Sequence, residues 1–182
     1  MKYVGIIAAI DEEIDSIKKL MTDSNIKEIC NLQFITGKIN EKEVVLVKSG
    51  VGKVNAARIT QILIDNFNLD YVINVGTAGG LNENIEIGDI VIGEKLVQHD
   101  FDVTAAGREK GYITDVGKYF YSNKELIKKA NETINNMNEN FGVFVGTIAT
   151  GDIFVQDVNV KEEIIKEFKA DCTEMEGAAI AQ

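Results

Sequence analysis

The 182-residue chain has no proline and no tryptophan, one histidine, two cysteines and two arginines. Without proline, normally about one residue in twenty, there is no Pro-rich linker to separate two domains. A single histidine and two distant cysteines, Cys30 and Cys172, cannot furnish a His/Cys metal cluster or a secreted disulfide scaffold. Both cysteines are read as reduced core thiols. No run approaches 18 apolar residues, so no transmembrane helix is expected. The short apolar stretch from Met1 to Ile10 runs into Asp11-Glu12-Glu13 without a small-residue cleavage site, which points to a strand and not a signal peptide. Lys plus Arg number 19 against 29 Asp plus Glu, a formal charge of −10, which disfavours nucleic acid and anionic membrane surfaces as partners. With 45% hydrophobic and 26% charged residues, residues 1–182 read as one folded cytoplasmic domain.

The apolar patterning alternates between strand and helix. Tyr3–Ala9 and Tyr71–Val75 read as buried strands, and 29–39 and 43–48 as a hairpin turning at Ile39-Asn40-Glu41-Lys42. Ile90–Gly93, Lys95–Gln98, Phe141–Ala149 and Asp171–Thr173 are further strands. Helices are expected over Asp11–Met21, with Asp11 as N-cap, and over Lys53–Asn66, with Val54, Ala57, Ile62 and Leu63 near one face. Two more are expected over Asn123–Asn138 and Asn159–Lys169, the latter capped by Asn159, and another begins within Glu174–Gln182. His99–Tyr119 is a polar excursion of a length that points to a functional or a flexible loop. This order predicts a three-layer α/β/α domain with a central mixed sheet. Ligands in such sheets sit at the carboxyl ends of strands, here Ile10–Glu13, Ser49–Lys53, Gly76–Gly80, Thr150–Val155 and Thr173–Glu176.

Gly50-Val51-Gly52-Lys53 fails as a phosphate loop, because Val47 stands at its first glycine and Val54 at its Ser/Thr position. It reads as a tight turn. Gly76-Thr77-Ala78-Gly79-Gly80, directly after a strand, would let a flat ligand approach the backbone. Of Asp11, Glu12 and Glu13, about 100° apart on a helix, at most two can enter a cleft. If Thr173-Glu174-Met175-Glu176-Gly177 stays extended, Glu174 and Glu176 point the same way and could bind two ribose hydroxyls. His99 reads as structural.

Together, six ordered blocks resemble the bacterial 5′-methylthioadenosine/S-adenosylhomocysteine nucleosidases of the nucleoside phosphorylase superfamily. They are Gly5–Glu13, Lys48–Ala57, Ile73–Gly80, His99–Ala105, Thr150–Phe154 and Glu174–Ala181. The resemblance implies a homodimer, without cofactor or metal, that hydrolyses the N-glycosidic bond of adenine nucleosides bearing 5′-thio substituents. It implies that Glu13 activates the attacking water and that Phe154 stacks on adenine. Val155 would bind the purine through its backbone, and Ala78 and Gly79 would lie in the small-residue loop at the ligand. Met175 and Glu176, with Glu174 beside them, would hold the sugar, and Ile10 and Val51 would line the ribose. The family's general-acid aspartate, in a Ser-Asp pair, has no counterpart before Gln182. The final strand and helix are likewise expected to be missing, and a chain so constituted is expected to be weakly active or inactive. Ala106 replaces an aromatic that lines the 5′-thio pocket in many family members. The alternatives are a purine nucleoside phosphorylase, which Arg58 and Arg108 alone equip poorly for phosphate, and a non-catalytic nucleoside-binding remnant.

Overall fold

The computed structural model describes residues 2–137 and 139–182. The chain divides into two compact units, one ending at Thr77 and one running from Ala78 to Gln182. The class is α/β with mixed sheets, as expected, and among the described residues the strands hydrogen-bond in two groups of five.

The first unit contains β1 (Tyr3–Ala8), α1 (Asp11–Lys18), β2 (Thr22–Ile29), β3 (Leu32–Ile39), β4 (Lys42–Lys48), α2 (Lys53–Asn66) and β5 (Leu69–Asn74). Its sheet order is β2-β3-β4-β1-β5. β1 runs parallel to both β4 and β5, so the carboxyl ends of these three strands are neighbours. The hairpin turn falls where expected, with Asn40 and Glu41 at φ of 46° and 65°. Both central residues of a tight type I′ turn need such positive values. Ala8, Ile14, Ile35, Val44 and Leu46 form a core on which Ile17 and Met21 pack. Gly5 matters to the packing of α2, since a Cβ there would lie 3.0 Å from a Leu63 methyl.

β2 went unforeseen because nearly all of its residues are exposed and polar; it is held by its ladder to β3 and not by an apolar face. α1 ends at Lys18, three residues early, and Ile10, not Asp11, is its N-cap. α2 buries Ala56, Ile59, Thr60 and Leu63, while Val54 is 79% exposed. β5 lies at the end of the strand order among the described residues, and Tyr71, Ile73 and Val75 are about 40% exposed where a buried strand was expected.

The second unit contains β6 (Gly79–Gly80), β7 (Ile90–Gln98), β8 (Phe120–Tyr121), α3 (Lys124–Asn135), β9 (Val143–Thr150), α4 (Val158–Phe168), β10 (Cys172–Glu174) and α5 (Gly177–Ala181). The sheet order is β6-β10-β9-β7-β8, with β7, β9 and β10 mutually parallel. The two expected strands at 90–98 are one strand, interrupted by a register shift between Gly93 and Lys95. Val97, Ala149, Ile164, Phe168 and Ala170 form the core. α3 is capped by the Asn123 side chain, and its expected end at Asn138 lies outside the described residues. α4 is capped by Asp157, two residues before the expected Asn159. The backbone N–H groups of Asn159 and Val160 donate to the Asp157 carboxylate and hold its pKa below the usual value. The 99–119 excursion carries only a 3₁₀ turn at Thr104–Ala106 and an isolated bridge between Ile113 and Gly117. Lys110 pairs with Glu163, and Lys118 with Glu109 and Glu167, which ties the excursion to α4.

The two thiols differ. Cys30 is exposed in the β2–β3 turn at φ 52°, so it is not a core residue. Cys172 is buried, and burial, with Glu174 and Asp171 adding, pushes its thiol up to about 12. At pH 8 roughly 10⁻⁴ of it is thiolate, the reactive form. Iodoacetamide at pH 8 is therefore expected to label the native protein once, at Cys30, and twice only in denaturant. Intact mass reads the outcome, and a native protein that takes two labels contradicts the burial of Cys172.

Candidate active site

In the first unit the parallel strand ends converge on Glu13. Ser49 N–H donates to the Ala8 carbonyl at 2.9 Å, Gly50 N–H to Ala9 at 3.1 Å, and Val75 N–H to Ile7 at 3.0 Å. These bonds extend the β4-β1-β5 ladder past the strand ends. Glu13, in the first turn of α1, turns its half-buried side chain back across that end. One carboxylate oxygen, Oε2, accepts the N–H groups of Ala9 at 2.9 Å and Ile10 at 3.3 Å. The other, Oε1, accepts the N–H of Thr77 at 2.9 Å and its hydroxyl at 3.2 Å. Four donors thus meet the roughly four acceptor positions of one carboxylate. Gly76 leaves room for it, because a Cβ at that position would sit 3.0 Å from Oε1.

The other two acidic residues behave differently. Asp11 forms a two-pronged contact with Lys48, 2.7 and 2.9 Å from Nζ to the two oxygens, and Glu12 is exposed. Ile10 is half-buried and bonds Glu13 through its N–H. Val51 is exposed between Gly50 and Gly52, whose φ values of 78° and 100° make the expected tight turn. Its carbonyl accepts the Asn55 amide at 2.7 Å. Gly76 and Thr77 as partners of Glu13 escaped the sequence reading, although the Gly-Thr pair at a strand exit was the available signal.

In the second unit the ends of β7, β9 and β10 are also neighbours. His99 N–H donates to the Thr150 carbonyl at 2.9 Å, and Gly151 N–H to that of Glu174 at 3.1 Å. His99 is buried against Gly151, where a Cβ would lie 2.3 Å from Nε2. The loop leaving β9 is held by Asp100, whose carboxylate accepts the Asp152 N–H at 2.9 Å. On this loop Phe154 is 76% exposed, an aromatic face open to a flat ligand, while Val155 packs on the core. Ala78 is exposed, and Gly79 pairs with Thr173 as part of a two-residue strand, not a free loop.

The Glu-Met-Glu segment is not extended. β10 ends at Glu174, and the chain bends at Met175 and Glu176 before α5 starts at Gly177, so strand alternation does not carry through the motif. Glu176 is buried, Met175 is half-buried, and the Glu174 carboxylate turns toward the start of α5. Each unit therefore assembles its own candidates: Ile10, Val51 and Glu13 with Gly76 and Thr77 in the first, and Phe154, Val155, Glu174, Met175 and Glu176 with Thr150 and Asp100 in the second.

Known proteins match across this whole arrangement. The family model of the phosphorylase superfamily matches residues 3–182. A 5′-methylthioadenosine/S-adenosylhomocysteine nucleosidase of Staphylococcus haemolyticus is 41% identical over 180 residues, which is 98% of this chain and 78% of that relative. The crystal structure of the nucleosidase of that name from Neisseria meningitidis, in complex with methylthio-immucillin-A, matches with a TM-score of 0.95 at 38% identity. It is covered over 79% of its length by all of this chain. A futalosine hydrolase mutant of Helicobacter pylori matches with a TM-score of 0.93 at 32% identity, covering 100% of this chain and 82% of that one.

Proposed function

The chain belongs to the phosphorylase superfamily and, within it, to the 5′-methylthioadenosine/S-adenosylhomocysteine nucleosidase family, and on that footing we propose that it hydrolyses the N-glycosidic bond of these two nucleosides to release adenine and a 5-thioribose product. The observation that carries this reading is the Glu13 carboxylate, fixed by four hydrogen bonds across the ends of β1 and β5. Adenine leaves with the electrons of the C–N bond and takes up a proton, positive charge develops on the sugar as in other glycoside cleavage, and water attacks the opposite face and gives up a proton. A carboxylate held in place serves as the base for that water. The two longer bonds, from Ile10 N–H and the rotatable Thr77 hydroxyl, are the ones an incoming water can replace at least cost.

The remaining roles are those the family resemblance implies. Phe154 offers a stacking face for adenine, the Val155 backbone meets the purine edge, and Met175 with Glu176 receives the sugar. Ile10 and Val51 line the ribose, and Ala78 and Gly79 allow close approach of the backbone. We read residues 1–182 as one nucleosidase domain that works without metal or cofactor. Its context is a cytoplasmic homodimer in methionine salvage.

Water suits this site better than phosphate. A carboxylate at the β1 exit repels an anion. Arg58 donates to the Cys30 carbonyl at 3.3 Å, and Arg108 lies over the Tyr112 ring. Incubation with methylthioadenosine, followed by chromatography, is expected to give adenine and free sugar slowly, as the expected weak activity requires, and at a rate independent of added phosphate. A sugar 1-phosphate that forms only with phosphate present would overturn hydrolysis in favour of phosphorolysis.

A further inference from the structure

Glu174 stands beside the proposed sugar-binding pair, and its sequence position suggests a second sugar carboxylate. Its hydrogen bonds indicate another task. Oε2 accepts the N–H groups of Glu176 at 2.9 Å and Gly177 at 2.6 Å. Oε1 accepts the hydroxyl of Thr150, and the Thr150 oxygen in turn accepts the N–H of Ala178 at 2.8 Å. Two side chains at the ends of adjoining strands, β9 and β10, thereby satisfy three successive amides at the start of α5. Helix starts leave such amides without intrahelical partners, and a carboxylate there also meets the favourable end of the helix dipole. Gly177 completes the fit, since a Cβ would lie 3.3 Å from both Glu174 oxygens and 2.9 Å from Leu96. The Glu174 carbonyl also receives Gly151 N–H at 3.1 Å, so the same residue fixes the first step of the loop that carries Phe154.

We infer that Glu174 is a positioning residue: with Thr150 it locks the turn that presents Met175 and Glu176, and it makes no contact with the sugar itself. This rests on the assignment of Glu176 to the sugar. An α5 held at its first three amides leaves Glu176 one backbone conformation. A polar group displaced by about an ångström loses up to roughly a hundredfold in rate.

A double-mutant cycle on methylthioadenosine hydrolysis tests this, with kcat and KM measured separately and thermal melting recorded for each protein. Glu176→Gln is expected to lower kcat/KM strongly, and to lose much of its effect on a substrate lacking the 2′-hydroxyl. Glu174→Gln is expected to lower kcat/KM by about 10- to 100-fold in the parent but to add no more than about twofold in the Glu176→Gln background. Thr150→Val removes the same network from the neighbouring strand, and its loss should likewise be masked by Glu176→Gln, whereas Thr150→Ser should restore parent kinetics. If Glu174→Gln costs the same factor in both backgrounds, it acts independently of Glu176 and the positioning role is overturned. If Glu176→Gln keeps parent kinetics, the sugar assignment fails first and takes the inference with it. If Glu174→Gln does not fold, the Thr150→Val cycle decides by the same criterion.

Discussion

Glu13→Gln is expected to lower adenine release by about 10²–10⁴-fold, the usual contribution of a positioned general base. The substitution is nearly isosteric, yet it is not silent in the structure. A carboxylate accepts on both oxygens, and here both are used: Oε2 by Ala9 and Ile10, Oε1 by Thr77. A glutamine must turn its NH2 toward one of these donor sets, leaving at least one N–H facing another donor. That costs about 1–3 kcal/mol, against a total stability of roughly 5–15 kcal/mol for a domain. The variant should therefore melt a few degrees lower but remain folded, and the rate loss should far exceed the fraction unfolded. Rate and melting temperature measured on the same preparation separate the two effects. A variant that melts lower yet releases adenine at the parent rate would leave Glu13 as a structural cap and remove it from the chemistry.

The class, the alternation of elements and the strand exits were legible in the sequence because they depend on long apolar runs. β1, β4 and α2 were placed to within a residue or two for that reason. What escaped was structure held by something other than an apolar stripe. β2, Thr22–Ile29, is polar along most of its length and exists through its backbone ladder to β3. On α2 the buried face Ala56, Ile59, Thr60 and Leu63 has perfect helical spacing, but an alanine and a threonine occupy two of its four positions and weaken the signal. Likewise the site residues were recognisable by type, while their partners were not. Thr77 lies 64 positions from Glu13, and Thr150 lies 24 from Glu174. Only the parallel pairing of strand ends shows that these residues meet. The extended reading of Glu174-Met175-Glu176 failed because alternation holds only while the strand continues, and here the strand stops at Glu174 to start a helix.

The second large effect lies away from any candidate catalytic group. Gly146→Ala is expected to destabilise the protein by roughly 2.5–6 kcal/mol, from overpacking of about 1–3 kcal/mol and lost hydrogen bonds to a charged group of about 1.5–3 kcal/mol. A Cβ at Gly146 would fall 2.0 Å from Oδ2 of Asp171 and 2.6 Å from its Cγ. That carboxylate is anchored, accepting Thr147 N–H at 2.8 Å and the Asn82 side-chain amide at 2.8 Å. The Asp171 backbone is tied in as well, donating to the Thr147 carbonyl at 2.8 Å and accepting from Leu81 and Asn82 at 2.9 and 3.1 Å. The new methyl must therefore expel the carboxylate and strand the Thr147 amide, or push β9 away from β10. Both routes strike the strands that carry Thr150 and Glu174, so activity should fall with stability. Urea unfolding followed by circular dichroism measures the loss, and pairing the change with Asp171→Ala tests its cause. With the carboxylate already gone, Gly146→Ala should cost much less than in the parent, because only the 3.2 Å approach to the Asp171 Cβ remains. Equal costs in the two backgrounds would mean that the glycine serves the strand backbone and not the carboxylate.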